Sequence, residues 1–345
     1  MSKRIQITPD AGTTWYTFPG DKADRQTTAA DIKDTTFGSD YESGQTGLIS
    51  WTESCNGIYK GFAGYVAKLS KSGTPTTFTT SAFSLVSGKT YKITDATKNV
   101  WDRSTAVNFF DNAVAVSGAN ILSVDYLNGR VTFVPGYTVT GPVTATGKYM
   151  PITQIAGANS FTLTQNAGAI DETDYIVAQG NTGFRVYTPG LKTVKLALKG
   201  FYKVSNAFEA LVAARSECII EINPDGGGLT VARGWFKPLM TAQSGSVGAL
   251  EDQSLDFTLS VPDQTGISIP FVWAFNAGST LSLALQTALN NWQNGTVADI
   301  NYLTDGSAGY RGDAVITDVS LSGGLDVMND FSLKFQGSDA PVVFP

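Results

Sequence analysis

None of the 345 residues of this chain is histidine, which narrows the chemistry open to it. A Ser-His-Asp triad, an imidazole general base and every His-ligated zinc site are excluded at once. Cys55 and Cys218 are the only thiols. They are too few for a four-thiolate metal site or a disulfide framework, and both are expected to be reduced. Ser87-Gly88-Lys89-Thr90 contains the Gly-Lys-Thr of a phosphate-binding loop. The first glycine of that motif would fall on Phe83, however, and no strand–loop–helix order surrounds it. Gly245-Ser246-Val247-Gly248 lacks the spacing of a nucleophile elbow. Asp171, Glu172 and Asp174 supply oxygens without the rest of a calcium loop and read as a solvated turn. Arg311-Gly312-Asp313 spells an adhesion tripeptide but reads as the start of a strand. Asn294-Gly295-Thr296 would accept a glycan only on a secretory route, and the opening residues 1–9 carry no apolar signal core. No spacing marks a pair of catalytic carboxylates. The expectation is a non-enzymatic protein with no cofactor and no metal, folding in the cytoplasm where it is made.

The elements that would position these residues are mostly strands. Apolar residues make up 42% of the chain, enough for a large core, while charged residues are only 16%. Thirty-six glycines and an abundance of Ser, Thr and Asn favour strands and turns. A formal charge of −6 argues against a protein that grips nucleic acid by neutralising phosphates. No apolar run is long enough to cross a membrane as a helix. Residues 1–26 read as an arm. Strand-like pieces follow at 47–51 and 64–69, and Gly73 and Pro75 mark a boundary. Residues 76–180 form a distinct β-rich stretch whose clearest unit is 122–134. There Asn128-Gly129, between two alternating runs, predicts a tight hairpin with both turn residues at positive φ. Beyond it, strands are predicted at 193–199, 218–222, 232–240, 255–261, 297–302, 314–321 and 331–335. Two short helices are predicted as well, at 204–214 and at 281–292. Asn206 and Glu209 have capping-box spacing in the first of these.

A repeat underlies this order. Sliding the chain by 78 positions without a gap aligns 194–257 with 272–335, and 15 of the 64 aligned positions are identical. Arg233-Gly234 falls on Arg311-Gly312, Ile222-Asn223 on Ile300-Asn301, and acidic Glu221 on Asp299. Ser244-Gly245 falls on Ser322-Gly323, and Asp252 on Asp330. The matches include glycines and polar residues that hydrophobic patterning alone does not place, so the chain reads as two copies of one β-plus-helix module.

Two stretches carry a family resemblance. Ala30-Asp31-Ile32-Lys33-Asp34-Thr35-Thr36-Phe37-Gly38 with Gly47-Leu48-Ile49-Ser50-Trp51 resembles the opening of the tail tube proteins of long-tailed bacteriophages. The ending Gly312-Asp313-Ala314-Val315-Ile316-Thr317, then Asp330-Phe331-Ser332-Leu333-Lys334-Phe335-Gln336-Gly337-Ser338, is similar to the same family. The earlier copy, 232–258 with its loop 245–252, resembles it again. The likeness covers 27–70 and 185–338. It implies a mainly β fold of tandem sandwich or barrel-like modules, each with one short α-helix, plus an inserted β-rich domain. The expected division is an arm at 1–26, a first module from 27–75 and 181–262, the insertion at 76–180, and a second module at 263–345.

The resemblance further implies rings, stacked into a hollow tail tube, that the chain builds by joining sheets with copies of itself. Two modules per chain favour a trimeric, pseudo-sixfold ring over a hexamer. Tape-measure and terminator proteins would be its other partners, and double-stranded DNA would pass through without specific binding. The location would be the virion tail, assembled in the host cytoplasm. An acidic chain suits a conduit for DNA, since like charge repels phosphate. Glu251, Asp252, Asp326 and Asp330, in or beside the module loops, are the candidates for lumen or ring-to-ring contacts. The rival is a tail-tip, spike or capsid-decoration protein binding a host surface ligand through exposed aromatics, for which Trp101, Trp235 and Trp273 are the candidates. A carboxylate-only glycan-cleaving enzyme stands third.

Overall fold

The computed structural model describes residues 3–33, 44–59, 66–71, 75–154, 158–174, 176, 183–201, 213, 217–224, 228–244, 252–261, 269–276, 278–305, 307–324 and 329–345. It is mainly β and divides into two compact units. Met1–Gly64, Ser160–Leu196 and Phe275–Pro345 form the first, and Tyr65–Asn159 with Ala197–Ala274 form the second.

Strands β1 (Arg4–Ile7), β2 (Tyr16–Thr17), β3 (Gly20–Lys33) and β4 (Gly44–Ile58) open the first unit. The second begins with β5 (Val66–Lys71), β6 (Thr76–Ser87), β7 (Thr90–Ile93), β8 (Asn108–Asp111) and β9 (Val114–Ala115). It continues with β10 (Ile121–Asp125), β11 (Arg130–Phe133), β12 (Val143–Tyr149) and β13 (Thr153–Gln154). β14 (Ala158–Asp171) and β15 (Tyr187–Phe201) come next. The first repeat copy supplies β16 (Cys218–Asn223), β17 (Thr230–Ser244) and β18 (Asp252–Leu259), and β19 (Phe271–Phe275) lies at the start of the second. The second supplies α1 (Leu283–Asn294), β20 (Ala298–Leu303), β21 (Gly309–Gly324), β22 (Asp330–Gly337) and β23 (Val342–Phe344).

The repeat is reproduced in hydrogen-bond register. In the β17–β18 hairpin Pro238 faces Phe257 and Met240 faces Asp256, so residue 239 is bulged out. In β21–β22 Ile316 faces Phe335 and Asp318 faces Lys334, which bulges residue 317. The two bulges lie 78 residues apart, as the sequence offset requires. The preceding hairpins differ by a slip of two residues. Ile222 faces Ala232, whereas Ile300 faces Gly312 rather than Tyr310. Each copy is widened on its far edge, by β5 then β13 along β16, and by β1 then β2 along β20.

In the first unit β22 lies between β21 and β4, and β3 closes on β4. β14 pairs with β21 on its other side, from Ser160 opposite Gly324 to Asn166 opposite Asp318. Alternation sorts these strands into two faces. Cys55, Leu333 and Val319 share one, with Gly57, Phe331, Leu321 and Leu163 beside them. Helix α1 follows the expected pattern, burying Leu285, Ala288, Leu289 and Trp292 along one stripe. It starts two residues later than predicted because the Ser282 hydroxyl caps it by accepting from Leu285 N–H, and Gly295 ends it at φ +67°. The helix expected at 204–214, with Asn206 and Glu209, lies outside the described residues apart from a helical Ala213.

β6 to β12 form a seven-stranded sheet in the order β10-β11-β7-β6-β12-β8-β9. Its core is aromatic, with Trp101 packed within about 6 Å of Phe78, Phe83, Phe109 and Tyr126. The Asn128-Gly129 hairpin forms, but through a longer loop than predicted. Asp125 faces Arg130, and of the two turn residues only Gly129 has positive φ. The reason is local: the Asp125 carboxylate accepts from Leu127 N–H (3.0 Å) and Asn128 N–H (3.1 Å), an Asx turn that competes with the two-residue form. The tight turn with two positive φ angles is at Asn112-Ala113 instead, closing Asp111 onto Val114.

The strand pairing groups segments differently from the expected module boundaries. The 27–75 stretch divides, since β4 hydrogen-bonds to β22 of the second copy while β5 hydrogen-bonds to β16 of the first. Within 76–180, β14 leaves the seven-stranded sheet and pairs with β21. A strand joins whichever edge continues its two-faced alternation, and sequence order does not reveal which edge that is.

Candidate assembly face

The five strands β3, β4, β22, β21 and β14 present a second face made almost wholly of short polar side chains. One rung runs Asp24, Ser54, Lys334, Asp318, Asn166, and the next Lys22, Asn56, Ser332, Ser320, Thr164. A third runs Ile58, Asp330, Ser322, Thr162. The charges on these rungs are mixed. Lys22 reaches Asp24 at 2.9 Å and Lys334 reaches Asp318 at 3.8 Å. Asp330 is exposed and has no ion-pair partner among the described residues. A shallow concavity of about 470 Å³ over the face is lined by Asn56, Ile58, Ser320, Ser322, Asp330 and Ser332.

Of the four acidic candidates, Asp330 is therefore placed on this face, at the start of β22 opposite Ser322. Asp252 begins β18 opposite Ser244, the equivalent pair of the other copy, and its side chain lies outside the described residues. Glu251 and Asp326 also lie outside them. The rungs themselves were not singled out from sequence. Their signal is the Ser/Thr/Asn alternation within 160–166, 318–322 and 330–336.

Beneath the polar face, Arg25 and Glu53 face each other on the buried side. Their side chains are 8% and 2% exposed and their nearest charged atoms are 3.9 Å apart. Burial pushes the Glu53 carboxyl up to about 8, with Arg25 opposing, and burial lowers Arg25. The Arg25 guanidinium lies 3.9 Å over the Tyr310 ring.

The repeated arginine carries a different load in each copy. Arg233 Nε donates to the Glu221 carboxylate at 2.9 Å, and Nη2 makes a second bond to the same oxygen. Its Nη1 donates to the Leu127 carbonyl and, at 3.1 Å, to Asn128 Oδ1, so it pins the turn of the inserted hairpin. Arg311 donates to Asp299, with Nε to Oδ1 at 3.1 Å, and its guanidinium lies 5.0 Å over the Trp15 ring of the N-terminal arm. The slip of two residues sets Asp299 directly opposite Asp313 and leaves Arg311 on the diagonal. Burial and the Asp299 charge raise the Asp313 carboxyl.

The remaining motifs resolve into local structure. Ser87 faces Thr90 across a hairpin turn with Gly88 at φ +52°, and Lys89 Nζ donates to the Tyr137 carbonyl. Asp171 accepts from Arg185 at 2.6 Å and Glu172 from the Thr188 hydroxyl at 2.8 Å. Among the described residues no cluster of three or more His, Cys, Asp or Glu side chains could hold a metal. Cys55 and Cys218 are free and buried, and burial pushes both thiols up to about 12. Trp101, Trp235 and Trp273 are all buried, at 0%, 3% and 4% exposure, which corrects their candidacy as ligand-binding surface aromatics. No helix among the described residues is long and apolar enough to cross a membrane.

No family model matches the chain, and no curated protein matches it. Among solved structures it is similar to a chain from the tail of an empty GTA particle, determined by helical refinement with C6 symmetry. That likeness has 19% sequence identity and a TM-score of 0.29, and it covers 37% of this chain and 87% of the other.

Proposed function

We propose that this chain is a virion structural protein that assembles with copies of itself into stacked rings, forming a hollow phage-type tail tube through which double-stranded DNA passes. The observation that carries the reading is the polar face of the five-stranded sheet, set on a module present twice in the chain. A sheet with one apolar face and one face of Ser, Thr, Asn and mixed charge is built to have water on that second side. Its lysines on the three rungs are each beside an aspartate, so the face offers phosphate no uncompensated cationic stripe. Such a surface suits a lumen wall that a polyanion slides past. Under this reading the partners are further copies of the chain and other tail proteins, the location is the virion tail, and the role is non-catalytic. Asp330 faces the lumen, and Asp252 takes the same place in the other copy.

The test is electron microscopy of the purified protein, with class averages viewed down the particle axis. Hollow stacks with threefold rings of six lobes support the tube and the use of both copies. Hollow sixfold stacks keep the tube and leave one copy per chain in the wall. Closed particles that never stack, or a persistent monomer at high concentration, overturn the reading in favour of a tip or decoration protein.

A further inference from the structure

The seven-stranded sheet carries a group of hydrogen-bond donors that lack acceptors. Strands β7 and β11 turn Tyr91, Ile93, Val131 and Phe133 toward the aromatic core, so alternation sends Thr90, Lys92, Arg130 and Thr132 to the other face. There the register sets Lys92 directly opposite Arg130 and Thr90 directly opposite Thr132. All four are half-buried. Like charges directly opposite each other destabilise a sheet, and burial adds to that cost. Burial, Arg130 and Arg233 all lower the Lys92 ammonium, with Asp125 opposing.

The neighbouring acids are already engaged. Asp125 faces Arg130 across the hairpin, but its carboxylate accepts from Leu127 N–H, Asn128 N–H and the Asn128 side-chain amide. Glu221 is taken by Arg233 and by Asn223 Nδ2. Among the described residues neither Lys92 nor Arg130 has a side-chain hydrogen bond or ion pair, and Arg130 Nε is buried without a partner. The Thr90 and Thr132 hydroxyls lie 2.9 Å apart, so one donates to the other and one hydroxyl proton is left over.

We propose that this quartet is a binding site for a phosphate-type dianion, held by Lys92 and Arg130 with a threonine hydroxyl as the third donor. Two adjacent cations match the double charge of inorganic phosphate or a phosphate monoester better than the single charge of a diester. The planar fork of Arg130 suits paired phosphate oxygens, and Lys92 acts as a point charge beside it. A bound dianion cancels the opposed charges and so stabilises the sheet. The site is independent of the tube reading.

The experiment melts the whole chain in phosphate and in chloride, at matched ionic strength and at a pH where phosphate is doubly charged. Phosphate should raise Tm along a saturating curve. Glycerol 3-phosphate separates the two sources, since the tighter of the two names the ligand as free anion or ester. Dimethyl phosphate should bind more weakly than both. Arg130→Gln and Lys92→Met should each weaken phosphate about tenfold or more, because a hydrogen bond to a charged group is lost. In chloride, Lys92→Met should melt no lower than the parent, because the like-charge opposition is gone. Hydrogen exchange on the unmodified protein needs no variant, and phosphate should slow the amides of 90–92 and 130–132 relative to chloride. The proposal is overturned by no saturable gain over chloride, by dimethyl phosphate matching phosphate, or by unchanged affinity in either variant. It is overturned equally by unchanged exchange at those amides, or by a Lys92→Met variant that melts lower in chloride.

Discussion

Replacing Arg233 by Met should cost far more stability than the same change at Arg311, although the two occupy one position of the repeat. The Arg233 and Glu221 side chains are 7% and 6% exposed, so the change leaves a carboxylate in the interior without its partner. It also strips donors from the Leu127 carbonyl and Asn128 Oδ1. Breaking a buried pair from one side costs about 3–5 kcal/mol. Arg311 and Asp299 are 42% and 18% exposed, and water can replace what Arg311→Met removes, so the expected loss is about 1 kcal/mol or less. A gap of about 3 kcal/mol separates urea midpoints by roughly 1 M at an m-value near 3 kcal/mol/M. Urea unfolding followed by tryptophan fluorescence reads that gap. Adding Glu221→Met to Arg233→Met should recover much of the loss, because an apolar pair replaces the orphaned charge. Hydrogen exchange should quicken at Leu127 and Asn128 in the single variant. Equal midpoint shifts for the two arginines, or a double variant no better than Arg233→Met alone, would refute the reasoning.

Three further outcomes follow from the same physics. The folded pKa of Glu53, about 8, lies above its ordinary 4.5, so the folded chain binds the extra proton between those values. That stability is complete below about 4.5 and is lost as pH rises through about 8; Glu53→Gln should flatten the thermal melting profile across this window, and parallel profiles would contradict the assignment. Ala113 sits at φ +64° in its two-residue turn, and Ala113→Gly should stabilise by about 1 kcal/mol by relieving left-handed strain, measured as a rise in Tm. A Cβ at Gly337 would fall 2.0 Å from the Trp51 ring, so Gly337→Ala should destabilise by about 3 kcal/mol and shift Trp51 fluorescence.

Much of the fold is legible because its signals are local. Period-two runs located β16, β17, β21 and β22, and the 78-residue offset matched Arg233 with Arg311 and Glu221 with Asp299, while the ion pair that each arginine makes with its acid came only from the strand register. The pairing of β4 with β22 is not legible, since an edge strand's alternation is satisfied by any edge of the right polarity. At the Asn128-Gly129 turn the dipeptide signal was outweighed by the Asp125 side chain just before it. For the candidate face, sequence placed Asp330 near a loop. Its neighbours across the sheet come from strands far away in the chain, and only the register assembles them.

The two ends of the long strands β17 and β21 answer to different constraints. Toward β18 and β22 both copies carry a bulge at one offset, so both sheets bend at the same place. Toward β16 and β20 the registers differ by two residues, and that difference decides where the repeated arginine reaches. In one copy it links Glu221 to the turn at Leu127 and Asn128, and in the other it links Asp299 to the Trp15 ring of the arm.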